Sequence, residues 1–311
     1  TILPVKAQIV LFWGPQYVAL YNDAYAPSIG NKHPRALGRP AVENWSELWD
    51  DLEPLLRGVR ETGETFSAKD RPFYIERHGR GEAVYFDVSY SAVREADGSV
   101  GGVLCVVNET TQRVQFERRQ AFLLELGQAL PSVSEPDQVE ALVLRRLAEE
   151  LNASQVFFAE NLDAEAALNL RQSVVPHAPC GQPLRPYSAE QNAALLAGRS
   201  LIQEGGDGAP AAMHVPVVRH GALEAVLVIE HDSHHLFSDF ETHLAEETAK
   251  LAWVWITHAR AEVALRLSST QLSAMFEQAG AGIAVCDAAM KLVRVNAVSY
   301  THLRAHETRE D

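Results

Sequence analysis

Basic residues are scarce: 27 Lys and Arg stand against 41 Asp and Glu, a formal charge of −14 over 311 residues. No Lys or Arg cluster able to neutralise several phosphates occurs, which argues against a nucleic-acid surface. Cysteine is scarcer still. Cys105, Cys180 and Cys286 are odd in number and widely spaced. That argues against a disulfide framework or a compact zinc knuckle and leaves reduced thiols as the expectation. No segment reaches the roughly 18 consecutive apolar residues that cross a bilayer, and no charged stretch precedes an apolar core at the N-terminus, so a cytoplasmic setting is expected. Catalytic motifs are missing as well. There is no Walker loop, serine-elbow pentapeptide, His-Glu-x-x-His or Gly-rich ATP lid, so a complete enzyme is not expected in this sequence.

What is present is a folding composition, 47% hydrophobic and 22% charged, at a length beyond one ordinary domain. Ile9 to Trp13 and Val18 to Tyr21 are apolar runs separated by Gly14 and Pro15, which predicts two strands and a tight turn. Asn44 and Glu47 are placed as a reciprocal cap for a helix carrying Leu48, Leu52, Leu55, Leu56 and Val59. Strands resume near Thr65; Val84 to Val93 alternates, Asp97 and Gly98 turn the chain, and Val100 to Val107 runs back. Phe116, Leu123 and Leu130, with Leu126 between, then suit a short parallel coiled-coil linker.

A second block opens at Ser134, where Ser134 and Asp137 resemble a capping box with Pro136 in the first turn. Strands are predicted at Gln155 to Glu160, Leu170 to Val175, Leu201 to Gln203, Met213 to Val218 and Leu223 to Glu230. Ser188 with Gln191 and Ser238 with Glu241 mark two more capping boxes. In the last helix Leu244, Leu251, His258, Leu265 and Leu272 recur every seven residues, with Val254, Ala261 and Met275 in the companion row. This pattern favours a parallel dimer, and a single amphipathic helix packed on its own domain is the alternative.

Near the end, Phe276, Ala279, Gly282, Ile283 and Asp287 precede Val295, Asn296 and Ala297. They restart the pattern that places Asn22, Ala24 and Tyr25 after Ile9 to Trp13. Both stretches resemble the start of a PAS domain, in which two strands deliver an Asn and a small residue into helices that close over a ligand-sized pocket. Asn108, Glu109, Thr110 and Thr111 stand where PAS domains carry the junction between the last strand and the outgoing helix, and a Thr there can cap that helix. Helix, two strands, helix, three strands and a long exit helix, with Val215 to Glu230 in the sequence VPVVRHGALEAVLVIE, resemble a GAF domain.

The fold class expected is therefore α+β: a PAS domain with a five-stranded antiparallel sheet and helices, then a GAF domain with an antiparallel sheet and flanking helices, joined by long signalling helices. The expected limits are 1–113 for the PAS domain, 114–133 for a helical linker, 134–243 for the GAF core, 244–274 for the exit helix and coiled-coil-like linker, and 275–297 for the start of a second PAS domain. Residues 298–311 are read as a non-native tail, in which Val298 to Glu307 (VSYTHLRAHE) resemble a translated sequencing adapter and His302 and His306 mimic metal ligands.

This order resembles the input half of a bacterial sensor histidine kinase, and it implies a sensory module acting by population shift. For the intact protein it implies an ATP-binding kinase domain, a response-regulator partner and a homodimer through the helices, with Leu244, Leu251, Leu265 and Leu272 in the dimer seam. The same input array can precede a cyclic-dinucleotide synthase or hydrolase, or act as a chromophore or small-molecule binder. Cys180, with His177 before it and Gly181 after it, is the candidate for covalent chromophore attachment, against an inert loop thiol. His231, Asp232, His234 and His235 have metal-ligating side chains, but a solvated loop is the expected reading and no metal site is assigned. Cys105 and Cys286 read as small buried hydrophobes. Trp45, Trp49, Phe73, Tyr74, Tyr85 and Phe86 could line a cavity or simply fill a core. No cofactor is assigned.

Overall fold

A computed structural model describes residues 4–77, 80–161, 170–172, 187–206 and 209–298. The chain divides into two compact units, Thr1–Phe122 and Leu123–Asp311.

In the first unit β1 (Gln8–Trp13) and β2 (Val18–Tyr21) are followed by the short helix α1 (Ala26–Ile29) and by α2 (Trp49–Thr62). The strands β3 (Phe66–Arg77), β4 (Arg80–Arg94) and β5 (Val100–Glu109) complete a five-stranded sheet in the order β2-β1-β5-β4-β3, with antiparallel neighbours throughout. Strand pleating sends alternate residues to one face. Val84, Phe86, Val88 and Tyr90 of β4 are therefore all buried, and Val10, Phe12, Phe73, Ile75, Val103 and Cys105 join them beneath α2. Burying a large apolar side chain is worth about 1.5–3 kcal/mol, so this face carries most of the unit's stability.

The sequence places Asn44 and Glu47 as the cap of α2, and the structure corrects this. The helix opens one turn later, at Trp49, without a side-chain cap. Two 3-10 turns, Ala41–Glu43 and Ser46–Leu48, occupy the intervening chain. Asn44 is buried and accepts from Arg35 Nε at 3.3 Å, while Glu47 pairs with Lys32. Ion pairing across the fold thus takes the carboxylate that a local cap would need. The end of α2 follows the expected rule: Gly63 adopts φ 72°, and its N–H reaches Val59 O at 2.9 Å.

The helix α3 (Thr111–Ala129) leads into the second unit, which contains α4 (Pro136–Leu151), β6 (Gln155–Asn161), β7 (Leu170–Gln172), α5 (Ala189–Leu196), β8 (Leu201–Gln203), β9 (Ala211–Arg219), β10 (Ala222–His231) and α6 (Asp239–Gln278). Its antiparallel sheet has the order β7-β6-β10-β9-β8. Adjacent residues of β6 report its two faces. Phe157 packs with Leu195 of α5, whereas Phe158 lies 5.5 Å from the Trp253 ring of α6.

Both later capping boxes form, Ser188 with Gln191 and Ser238 with Glu241. The box at Ser134 and Asp137 does not: the N-cap is Glu135 and makes no side-chain cap bond. Pro136 sits in the first turn and fixes the start of the helix one residue beyond Ser134. A small hairpin, β11 (Ala284–Cys286) with β12 (Leu292–Val295), follows α6. Cys286 is exposed there, contrary to the expectation of a buried hydrophobe, because this two-stranded hairpin has little to pack beneath.

Among the described residues, no helix is long and apolar enough to cross a membrane.

Candidate functional site

The inner face of the first sheet encloses a cavity of about 40 Å³. Trp45, Phe73 and Phe86 from the expected aromatic group line it, together with Ser28, Tyr90 and Cys105. Strand parity turns Tyr74 outward, 55% exposed, while Trp49 at the start of α2 packs edge-on to Tyr17 at 6.0 Å. Tyr85 is likewise absent from the lining.

The polar groups in this cavity are all neutral. Burial pushes the Tyr25 and Tyr90 hydroxyls and the Cys105 thiol above their ordinary pKa values, so none ionises near pH 7. A site with neutral hydroxyls on an apolar wall can hold an uncharged molecule and hydrogen-bond it. A single water needs roughly 10–15 Å³ of such space, so the cavity accepts about three heavy atoms without rearrangement. Tyr90 and Cys105 were missed as lining residues, although strand alternation places both on the inner face. Ser28 carries no such signal, because α1 is a single turn.

Asn22 is a buried anchor outside the cavity lining. Its Oδ1 accepts from Ile9 N at 3.1 Å and Tyr25 N at 3.2 Å, and its Nδ2 donates to Val5 O and Ala7 O at 2.8 Å each. One buried side chain thereby ties the chain before β1 to the turn after β2. Ala24 lies in that turn, and Tyr25 is the N-cap of α1. Asn296 repeats the pattern at the same sequence offsets. It accepts from Ile283 N at 2.9 Å, thirteen residues back, and donates to Ala281 O at 2.8 Å, fifteen residues back, as Asn22 does to Ile9 and Ala7.

The junction residues after β5 are bonded to β3 and β4. Thr111 Oγ1 accepts from Tyr85 N at 3.0 Å and donates to Glu109 at 3.1 Å. Thr110 Oγ1 donates to Asp70 Oδ1 at 2.7 Å, and Arg113 Nη2 of α3 reaches the same oxygen at 2.5 Å. Asn108 is exposed and faces Asp87 across the ladder. The hub is therefore Asp70, which the sequence reading did not identify. It occupies an irregularity in β3 with φ 49°, a conformation that a short polar side chain tolerates. Hydrogen bonds from Arg113 and then Thr110 hold its carboxyl below the usual range. A bulge leaves no periodic signal, so no spacing rule could find it.

In the second unit, Tyr187 OH lies 2.8 Å from His214 Nδ1 on β9. Burial lowers the His214 pKa to about 4 and raises that of Tyr187, so a neutral phenol and a neutral imidazole share this hydrogen bond. Cys180 and His177 lie outside the described residues, as do His302 and His306.

The heptad row of α6 splits. Leu244 is fully buried in its own unit, Leu251 is half-buried, and Leu265 and Leu272 are 71% and 65% exposed. The buried stripe is Ala245, Ala249, Ala252, Ile256 and Ala259, with no buried residue from there to Gln278. Beyond Ala259 the helix runs past the core of its own unit, so the row begins in the core and ends in solvent. Arg260 marks the departure: it binds Glu160 at 2.6 Å and Glu140 at 3.6 Å and covers the Trp253 ring. In α3, Phe116 is exposed and Leu126 is buried, as is Leu130 in the turn that follows.

A five-stranded antiparallel sheet, helices across one face and a cavity between them define a sensory-domain architecture. Residues 8–115 match the family model described as PAS fold, so the chain has an N-terminal PAS domain followed by a second region of helices and antiparallel strands. Among solved structures, an RNA-binding light-oxygen-voltage receptor is similar at 18% identity and TM-score 0.31, covering 41% of this chain and 36% of that one. A PAS domain from Colwellia psychrerythraea is 13% identical with TM-score 0.29, covering 36% of this chain and 92% of that domain. A sensory box sensor histidine kinase from Vibrio cholerae is 15% identical with TM-score 0.27, covering 33% and 81%. The chain thus spans about a third of the length of the light-oxygen-voltage receptor.

Proposed function

We propose that the chain is the sensory input region of a two-component histidine kinase, in which the PAS cavity binds a small uncharged molecule and α3 carries the response onward. The observation that carries this reading is the shared Asp70 oxygen. A single carboxylate on β3, whose Phe73 lines the cavity, holds both Thr110 at the end of the sheet and Arg113 on α3. Movement of β3 on ligand binding would therefore change the helix contacts directly, which is a population shift with a named element at each end.

The second region is read as a GAF domain because its strand order and two capping boxes follow the expected layout. Residues 275–297 are read as the start of another PAS domain because Asn296 repeats the bonds of Asn22. The exposed Leu265 and Leu272 favour a homodimer through the distal half of α6. Phosphotransfer to a response regulator belongs to the intact protein, and its kinase would supply the ATP site.

The test is a titration with small neutral alcohols and ketones, followed by amide chemical shifts. Shifts at Ser28, Tyr90 and Cys105 that saturate, and that weaken in Val88→Leu, are expected. Absence of saturable shifts across the panel would overturn the binding reading.

A further inference from the structure

We propose that His231, His235 and Glu241 form a binding site for a divalent transition ion of the Zn²⁺ type at the junction of β10 with α6. Four of the five residues 231–235 suggested ligands by type, but the fold selects differently. Asp232 and His234 point to solvent. Glu241, from the first turn of α6, takes their place. One ligand atom from each of the three lies within 4.8 Å of the others. Ligands about 2.1 Å from a tetrahedral ion stand about 3.4 Å apart, so the present spacing brackets the required one.

Two features distinguish this group from an ordinary polar loop. His231 is only 8% exposed, yet its Nε2 has no hydrogen-bond partner, which is costly for a buried polar atom unless a ligand completes it. His235 Nε2 lies 2.9 Å from Glu241 Oε1, a separation bridged by one proton. An ion would replace that proton, release it to solvent and link the same two atoms, with His231 Nε2 as third ligand and water as fourth. The two imidazoles are stacked at 3.8 Å with 13° between their planes; each lone pair lies in its ring plane, so sharing an ion requires the half-buried His235 to turn its ring out of the stack.

The surroundings already hold these ligands in place. Glu241 Oε2 accepts from Ser238 N at 2.7 Å and Ser238 Oγ at 2.8 Å, which leaves Oε1 directed at His235. Asp232 N donates to Ser154 Oγ at 2.9 Å and His235 N to Glu204 O at 3.2 Å, fixing the backbone at both histidines. Phe237 closes one side, edge-on to both rings. Outer contacts of this kind orient metal ligands. The bound ion would clamp the end of the sheet to the first turn of the exit helix, making that turn metal-dependent. Because it rests on second-unit geometry alone, the site stands or falls separately from the PAS cavity.

The test is a titration of the full chain with Co²⁺ as a visible reporter, followed by displacement with Zn²⁺. One equivalent with d–d absorption is expected, and its affinity should fall at least tenfold in His231→Ala and in Glu241→Gln. The Gln variant preserves the capping box, as Gln191 does after Ser188, so it loses the ligand charge without losing the helix start. His234→Ala should bind as the parent does. Three results would overturn the proposal: no saturable binding by the parent, unchanged binding in both variants, or binding abolished only by replacing His302 and His306.

Discussion

Replacing Asn22 with Ala tests the recurrent Asn motif. The side chain holds four main-chain groups, and truncation affects them unequally. Val5 and Ala7 are exposed, so water can replace the amide at their carbonyls. Tyr25 N keeps a second acceptor, Asn22 O, at 3.0 Å. Ile9 is different. Its residue is buried, and its O already accepts from Asn22 N, so its N–H faces the same side and loses its acceptor outright. A buried orphaned donor costs about 1–3 kcal/mol, and weakening of the remaining contacts brings the expected loss to about 2–4 kcal/mol. Hydrogen exchange resolved by peptide mass spectrometry is the appropriate assay, because it separates the two units. Peptides covering β1 and β2 should exchange about 30- to 900-fold faster, the rate equivalent of that free energy, while α4 and β10 stay unchanged. A change below fivefold in β1 would refute the reasoning that one side chain satisfies this segment.

The remaining predictions concern the other named groups. Because the folded-state pKa of His214 lies near 4, below its ordinary value, the unfolded chain takes up a proton first as pH falls. The stabilisation is full above about pH 6.5 and declines to a floor near pH 4, a difference of about 3 kcal/mol. Urea midpoints of the second unit should follow that curve and flatten in His214→Gln. Asp70→Asn keeps a residue that tolerates positive φ but removes the charge facing Arg113, so the Val114 amide should exchange faster while the β3 ladder is retained. In the parent, the Asp70 contribution is present above the ordinary carboxylate range and is lost as pH falls through its lowered pKa. Leu265→Glu with Leu272→Glu should convert a dimer to a monomer in light scattering without unfolding the second unit, since neither side chain is buried.

Periodic features were legible in the sequence. The alternation from Val84 to Val93 marked β4 as a strand without choosing between Tyr85 and Phe86 for the inner face, and the Ser-x-x-Gln and Ser-x-x-Glu spacings marked the starts of α5 and α6. The repeat of Asn22 at Asn296 was visible as residue types, and the fold gives it the same hydrogen bonds. Features that depend on distant partners were not legible. Glu47 has the spacing of a cap but is drawn to Lys32, and Asp70 acts from a bulge that has no period. The histidine cluster was visible as composition, yet its third member, Glu241, comes from a capping box that already accounted for it locally. A local role does not exhaust a carboxylate, which has two oxygens.

The relay from cavity to helix is the central claim, and amide exchange at Thr110, Thr111 and Val114 measured with and without a saturating cavity ligand tests it most directly. Occupancy should change exchange at these positions in the parent but not in Asp70→Asn. Saturated binding that leaves all three amides unchanged would contradict the relay.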